Sequence, residues 1–242
     1  MKPKIIKYEK IDSTNIRAKK IAQSESADTH GTVVMAEEQT AGKGRLGRNF
    51  FSPAGHGIYM SIIADPLKIA PNTPQMITVY TAAAVCETIE EMCGKFPKIK
   101  WVNDIFLNNK KISGILTEAL MDLNGSISRI IIGIGINFTL PRVPEELTEV
   151  IGAVYDKAAD AAITRDELAE AVIDKILNPR ADWDIDMYRR RLFILGKKIW
   201  VHGADEPYEA VALDVNGSGQ LLVKNNAGSV ITLTAGDISI RF

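Results

Sequence analysis

The chain has 242 residues, enough for one large domain or for a medium domain followed by a small one. Hydrophobic residues make up 46% and charged residues 24%, which excludes a mainly disordered, collagen-like or coiled-coil chain. With 29 basic and 30 acidic side chains the net charge is −1, so any basic site has to be local. Two cysteines, Cys86 and Cys93, are too few for a disulfide framework, and the scattered histidines give no zinc spacing.

The N-terminal residues contain no apolar stretch of the kind found in signal peptides. The longest uncharged run, residues 69–86, contains two prolines and several polar residues, so it predicts no membrane span. We therefore expect a cytoplasmic protein.

The first half of the chain predicts strands and helices around a glycine-rich stretch. Strands are predicted over residues 5–11, 32–37 and 57–64. One helix begins after Asp12 and Ser13, and a longer one covers residues 72–92 with Asn72 or Thr73 as its cap. The stretch 39–57 holds five glycines, three cationic side chains and no acid.

The centre predicts three antiparallel strands, over residues 98–102, 112–120 and 127–136. The turn signals are Asn103-Asp104, Asn108-Asn109 and Asn124-Gly125. Helices are predicted over residues 166–177 and 182–193. From residue 196 on, about five short strands separated by turns at 203–204, 216–219 and 225–228 predict a small barrel or curled sheet. We place a domain boundary at Leu195, which gives domains 1–195 and 196–242.

The first candidate site is the loop over residues 42–48, GKGRLGR. Three cations lie within six residues, among glycines that let a ligand approach the backbone closely. Such a loop suits phosphate and carboxylate groups. It is not a Walker A loop, because its Gly-Lys is not followed by Ser or Thr. The alternative is a surface loop with solvated charges.

Three further stretches carry polar groups at strand or helix ends. Residues 100–104 (KWVND) are followed by residues 111–116 (KISGIL). Lys111 begins the second predicted strand, so its long side chain could point into a cleft lined by the sheet. Residues 133–137 (GIGIN) put two glycines in an apolar strand, where ligands often approach. Residues 12–15 (DSTN) start a helix, where hydroxyls and amides can bind a ligand. Taken singly, each stretch is better explained by an ordinary hairpin, by tight sheet packing or by helix capping, respectively.

Taken in this order, the four stretches resemble the biotin protein ligases, also called biotin–acetyl-CoA-carboxylase ligases, over nearly the whole chain. The resemblance implies an α+β fold, with a mixed β-sheet flanked by helices as in class II aminoacyl-tRNA synthetases, followed by a small SH3-like β-barrel. Some members carry an N-terminal winged-helix domain. Here the Ser13-Thr14 motif comes too early for one, which implies a monofunctional ligase that binds no DNA.

The implied reaction has two steps and needs no side-chain nucleophile. The carboxylate of biotin attacks the α-phosphate of ATP, which gives biotinyl-5′-AMP and pyrophosphate, and a lysine of a biotin carboxyl carrier protein then displaces AMP. Mg²⁺ accompanies ATP, but no local cluster of carboxylates identifies metal ligands. No membrane partner is expected, and the resemblance is compatible with a homodimer.

The resemblance also assigns residues. The biotin-binding residues are Ser13, Thr14, Asn15, Gln39, Gly42, Lys43, Gly44, Arg45, Lys111, Gly114, Gly133 and Gly135. The residues that bind ATP or the adenylate are Lys43, Arg45, Arg48, Phe50, Asn103, Lys111 and Asn137. The catalytic residues are Lys111, Arg48, Arg45 and Asp104, of which Lys111 bridges carboxylate and α-phosphate and Asp104 orients the acceptor lysine.

Three positions depart from the pattern of the family. Lys43 stands where many relatives have arginine and cannot form a bidentate fork. Phe50 stands where relatives often have tryptophan, which puts the adenine contact there in doubt, and Val102 replaces a frequent proline. Two alternatives stay open: a lipoate–protein ligase-like enzyme, which shares the fold, and a non-catalytic nucleic-acid-binding module that uses the basic loop.

Overall fold

A computed structural model describes residues 2–24, 28–69, 71, 73–202, 206–234 and 237–239. In these ranges the larger elements are β1 (Lys4–Ile11), α1 (Thr14–Ser24), β2 (Thr32–Gln39), β3 (Gly57–Ala64), α2 (Pro74–Cys93), β4 (Lys98–Lys100), β5 (Asp104–Leu107), β6 (Lys110–Met121), β7 (Ile127–Asn137), α3 (Arg165–Leu177), α4 (Asp186–Arg189), β8 (Lys198–His202), β9 (Tyr208–Val215), β10 (Leu221–Asn225), β11 (Val230–Leu233) and β12 (Asp237–Ser239). No helix in the described ranges is long and apolar enough to cross a membrane.

The strands form two sheets. A seven-stranded sheet has the order β1-β2-β3-β7-β6-β5-β4, and only its β1–β2 pair is parallel. The strands β8 to β12 form a separate antiparallel sheet with the order β11-β10-β9-β8-β12. The predicted α+β class, a mixed sheet flanked by helices and followed by a β-rich region, is confirmed. Its finer description as an SH3-like barrel stays a prediction, as does the boundary at Leu195.

Helices cover both faces of the large sheet. Successive strand residues point to opposite sides, so a strand buried along its whole length, such as β3, carries apolar side chains towards both faces. On one face, Ala18 and Ile21 of α1 pack against Ile63 and Ile131. On the other face, α2 and α3 cover a larger cluster that contains residues of β3 and β7 such as Ile62 and Ile132. The alternation along β7 therefore places Gly133 and Gly135 on the α1 side, where no side chain of their own fills the space.

The turn between β9 and β10 of the small sheet is hydrogen-bonded to α2 and to the residue that follows β4. The Gly219 carbonyl accepts hydrogen bonds from the Trp101 indole and from the Gln75 amide, each 2.9 Å long. Buried residues of the small sheet, such as Ala212 and Leu221, belong to the same hydrophobic cluster as α2 and α3. The two sheets therefore share one core.

We expect Gly219→Ala to lower the free energy of unfolding by about 2–3 kcal/mol, the sum of backbone strain and overpacking. Gly219 has φ +76°, and an added Cβ would lie 2.8 Å from Val79. The matched control is Gly228→Ala, because Gly228 has φ +85° but nothing within 4 Å of an added Cβ. That variant should lose only about 1 kcal/mol, from the backbone term alone. Urea unfolding of both variants measures the difference, and equal losses would contradict the proposed contact.

Two predicted elements were wrong in extent. The helix expected over residues 182–193 is a single turn, α4, because the chain after it pairs with β4: the Ile99 amide donates to the Arg191 carbonyl, and the Phe193 amide donates to the Ile99 carbonyl. The strand expected over residues 98–102 ends at Lys100. The short strand β5 was not predicted, so Asp104 begins a strand rather than lying within a turn.

The turn signals were more reliable. Asn108 and Asn109 both have positive φ between β5 and β6, and Gly125 has φ +78° between β6 and β7, as tight hairpins require. Thr73 caps α2 by accepting a hydrogen bond from the Met76 amide. The alternative cap, Asn72, and the turn predicted at 203–204 lie outside the described residues.

Candidate functional site

A pocket lies on the α1 face of the large sheet, where α1 begins and the glycine-rich loop crosses the strands. Its lining residues are Ser13, Thr14, Asn15, Gln39, Lys43, Gly44, Arg45, Leu46, Arg48, Asn49, Phe50, Met60, Asn103, Asp104, Lys111, Gly114, Ile115, Leu116, Gly133, Ile134 and Gly135. Four of these residues are cationic and one, Asp104, is acidic. The pocket therefore favours an anionic ligand.

A buried hydrogen-bond network forms one part of the pocket. The Gln39 carbonyl oxygen accepts from the Thr14 amide at 2.8 Å and from the Thr14 hydroxyl at 3.1 Å, and the Gln39 amide donates to Ser52 at 3.0 Å. The Ser61 hydroxyl donates to Asn15 Oδ1 at 2.5 Å and lies 2.8 Å from Thr14 Oγ1. These fixed donors and acceptors suit the polar end of a small ligand.

The other side of Asn15 contacts an ion pair. Asn15 Nδ2 donates to Glu118 Oε2 at 2.8 Å, and Lys19 Nζ lies 2.6 Å from Glu118 Oε1. Burial by itself would raise the pKa of Glu118, but the hydrogen bonds from Lys19 and Asn15 outweigh it and hold the pKa below its ordinary value. Glu118 is therefore a carboxylate at neutral pH and only accepts hydrogen bonds.

Glycines of β7 make the floor of the pocket. A Cβ on Gly133 would lie 2.1 Å from Asn15 Oδ1, and a Cβ on Gly135 would lie 2.5 Å from the Phe50 ring. Phe50 also makes an edge contact with Tyr59, at 6.4 Å between ring centroids. These contacts need glycine, because any larger residue would displace Asn15 or Phe50. The glycine pair of the sequence motif therefore marks the place where the side chains of Asn15 and Phe50 approach the β7 backbone closely.

The cationic part of the pocket lies beside Gly114 of β6, two residues along the strand from Leu116. Lys111 Nζ lies 2.6 Å from Asp104 Oδ1, and both side chains are partly buried. The Arg45 guanidinium donates to Asn103 Oδ1 at 3.2 Å. The loop that carries Arg45 closes as a small hairpin, in which the Gly44 amide donates to the Arg48 carbonyl at 2.7 Å. The loop and the β5–β6 hairpin thus bring their charges to one place.

The two adjacent lysines of β6 point in different directions, as expected for neighbours on a strand. Lys110 Nζ donates to the Thr148 carbonyl at 2.8 Å and lies 4.0 Å from Glu149. Lys111 instead lines the pocket. This geometry separates a candidate catalytic lysine from a surface lysine.

The predicted site residues come together with two exceptions. Gly42 and Asn137 do not line the pocket. Gly42 is crowded by the Phe50 carbonyl and Ser52, which a Cβ would approach to 2.6 and 2.7 Å. Asn137 donates to the Gly152 carbonyl at 2.9 Å and so fixes the segment that follows β7. The role predicted for Asn137 at the nucleotide stays a prediction.

Sequence reasoning missed the residues that hold the Asn15 side chain in place without lining the pocket themselves. Ser61, Glu118 and Lys19 carry no motif, although Lys19 lies one helical turn after Asn15 and thus on the same face of α1. Among the described residues, no three His, Cys, Asp or Glu side chains are arranged to hold a metal ion. We therefore assign no protein ligand to Mg²⁺.

Comparison with known proteins gives consistent matches. The bifunctional ligase/repressor BirA of Bacillus subtilis (strain 168) is 37% identical over 158 residues, which cover 64% of this chain and 47% of that protein. The chain thus spans about half the length of this curated relative. The biotin–[acetyl-CoA-carboxylase] ligase of Paracoccus denitrificans is 28% identical over 239 residues, which cover 90% of this chain and 92% of that protein.

A solved structure matches the fold over nearly the whole chain. The biotin protein ligase from Aquifex aeolicus in complex with biotin and ATP superposes with a TM-score of 0.80 at 25% identity, covering 98% of each chain. The model of the biotin/lipoate A/B protein ligase family matches residues 8–137, which is 130 of 242 residues. This range includes the start of α1, the glycine-rich loop and the β6–β7 hairpin, so it contains the pocket. The resemblance inferred from the four motifs is confirmed, and the chain belongs to the biotin/lipoate A/B protein ligase family.

Proposed function

We propose that this chain is a biotin–[acetyl-CoA-carboxylase] ligase. It activates biotin with MgATP as biotinyl-5′-AMP and transfers the biotinyl group to one lysine of a biotin carboxyl carrier domain. Ser13, Thr14, Asn15 and Gln39 bind the polar ring of biotin, and the cationic loop with Lys111 binds the carboxylate and the phosphates.

One observation carries this proposal: a neutral polar network and a cationic cluster share one glycine floor. Gly133 pairs with Leu116 beneath Asn15, and Gly135 pairs with Gly114 beneath Phe50 and Lys111. The two rows lie two residues apart on the strand, about 7 Å. A ligand with a neutral hydrogen-bonding ring at one end and a carboxylate at the other fits this separation of charge, and biotin has that form.

The cations address the difficulty of the first step, which is the repulsion between two anions. A carboxylate oxygen of biotin forms a bond to the α-phosphorus, while the bond to the bridging oxygen breaks and pyrophosphate leaves. Lys111 and Arg45 neutralise both partners and hold them in line, and Arg48 meets the phosphates. All three of these cationic side chains line the pocket.

Asp104 serves the second step. In the structure it pairs with Lys111 at 2.6 Å. When the carboxylate and the α-phosphate occupy Lys111, Asp104 loses this partner and can orient the ammonium of the acceptor lysine and accept its proton. The neutral amine then attacks the carbonyl carbon of the adenylate, the bond between that carbon and the phosphate oxygen breaks, and AMP leaves, while the second proton of the amine passes to the phosphate of AMP or to water.

The remaining assignments complete the proposal. Phe50 and Asn103 contact the adenylate, and Mg²⁺ enters with ATP as part of the substrate. The small sheet β8–β12 is an SH3-like barrel, and residues 196–242 form a C-terminal domain that packs on the larger one through the core they share. A homodimer and a cytoplasmic location stay predictions from the sequence.

Pyrophosphate release tests the proposal against its alternatives. The protein is incubated with MgATP and with biotin, lipoate or neither acid, and pyrophosphate is measured. Release that requires biotin supports the proposal. Release that requires lipoate would favour a lipoate ligase, and no release with either acid would contradict an acid-activating enzyme and favour the nucleic-acid-binding alternative.

We expect biotin and MgATP together to slow tryptic cleavage after Arg45 and Arg48. Arg48 lies in the exposed part of the loop, and Leu46 beside Arg45 is 73% exposed and has a left-handed φ of 55°. Bound anions would hold the loop over the pocket and offset its ordering entropy. Cleavage is followed by mass spectrometry, and equal rates with and without both ligands would contradict the closure of the loop.

A further inference from the structure

Asn15 has a fixed amide orientation, which determines the kind of group it offers to the pocket. Its nitrogen faces two groups that can only accept hydrogen bonds: the Glu118 carboxylate at 2.8 Å and the Leu116 carbonyl at 3.4 Å. Its oxygen faces the Ser61 hydroxyl and lies above Gly133 in the pocket floor. The reversed amide would put its oxygen against a carboxylate, so this orientation is the stable one.

We propose that Glu118 and Lys19 are positioning residues of the biotin site, which hold Asn15 with its amide oxygen available to an N–H group of the biotin ring. This inference rests on the proposed function. A carbonyl oxygen accepts two hydrogen bonds, so Asn15 Oδ1 keeps one lone pair after it has bound Ser61. Neither Glu118 nor Lys19 lines the pocket, and Glu118 reaches it by its hydrogen bond with Asn15.

The charge of the pair is part of the arrangement. Lys19 Nζ lies 2.6 Å from the second carboxylate oxygen of Glu118, Oε1, and the two side chains are exposed to a similar extent, 29% and 25%. The ammonium favours the ionised carboxylate, and a carboxylate has no proton with which to bind the wrong end of the Asn15 amide. A glutamine at position 118 would present both a donor and an acceptor and would let the amide turn.

The test measures biotin affinity and adenylate formation for Glu118→Gln, alone and in an Asn15→Ala background. We expect Glu118→Gln to raise the Kd for biotin about tenfold, the scale of one hydrogen bond to a charged group. The kcat of adenylate formation at saturating biotin and the KM for ATP should stay near the wild-type values. In the Asn15→Ala background, Glu118→Gln should cause no further loss, because its effect passes through Asn15.

Controls separate positioning from stability. Glu91→Gln breaks an ion pair with Lys175, 2.8 Å long, that lies away from the pocket, and it should leave the Kd for biotin unchanged. Melting temperatures check that all variants are folded. Should Glu118→Gln not fold, Lys19→Met removes the charge of the other partner of the pair and should also raise the Kd for biotin.

The possible results separate a failure of the positioning role from a failure of the proposed ligase function. An unchanged Kd in Glu118→Gln, or a loss that adds in full to that of Asn15→Ala, overturns the positioning role while the wild-type protein still binds biotin. A wild-type protein that binds no biotin overturns the proposed function and this inference together.

Discussion

Lys111→Ala should slow the formation of biotinyl-5′-AMP roughly a hundredfold or more, on the scale of losing one preorganised charged donor. The ammonium bridges the two reacting anions, and a closed site with a low effective dielectric strengthens that interaction. The variant also leaves the Asp104 carboxylate without its 2.6 Å partner, next to the incoming anions. Both effects raise the barrier, and single-turnover adenylate formation measures them.

Lys110→Ala is the matched control, because it removes a neighbouring lysine that contacts Thr148 outside the pocket. It should leave the rate near that of the wild-type protein. Lys111→Arg should restore only part of the rate, since a planar fork does not replace a point charge between two anions. Equal rates for Lys110→Ala and Lys111→Ala would move the catalytic cation to Arg45 or Arg48.

Gly133→Ala should weaken biotin binding about a hundredfold, on the scale of losing two of the hydrogen bonds that hold Asn15, those with Ser61 and Glu118. The added Cβ would lie 2.1 Å from Asn15 Oδ1, so the amide has to leave both Ser61 and Glu118. Equilibrium titration with biotin measures the effect. A second variant, Gly133→Ala with Asn15→Ala, should bind no worse than Asn15→Ala alone, because the obstructing side chain is absent.

Gly217→Ala provides the control for this prediction. Gly217 lies in the small sheet's β9–β10 connection, its φ is not in the left-handed range, and nothing lies within 4 Å of an added Cβ. Its biotin affinity should match that of the wild-type protein. A wild-type affinity in folded Gly133→Ala would show that Asn15 does not contact biotin.

Local signals in the sequence predicted much of the fold. Nearly continuous apolar runs located β3 and β7, and Asn124-Gly125 located the hairpin before β7. The helix expected over residues 182–193 failed because backbone pairing between Ile99 and Arg191 competes with helical hydrogen bonds. That competition depends on a strand far away in the sequence, and periodicity within one segment does not contain it.

The residues of the candidate site were also predicted only in part. Motif residues such as Lys111 and Gly133 were predicted because their types and spacing are distinctive. The pairing of Lys111 with Asp104 was not predicted, because it needs the unforeseen strand β5. Glu118 was missed because its partner Asn15 lies 103 residues earlier, and the two meet only because α1 packs across the large sheet against β3 and β7.

The most direct test of the account is the mass of a biotin carboxyl carrier domain after incubation with this protein, biotin and MgATP. The account predicts a mass gain of one biotinyl group on one lysine, dependent on ATP and lost when Lys111→Ala replaces the wild-type protein. An unmodified carrier domain that a known biotin ligase does modify, or a carrier domain modified equally well by Lys111→Ala, would contradict it.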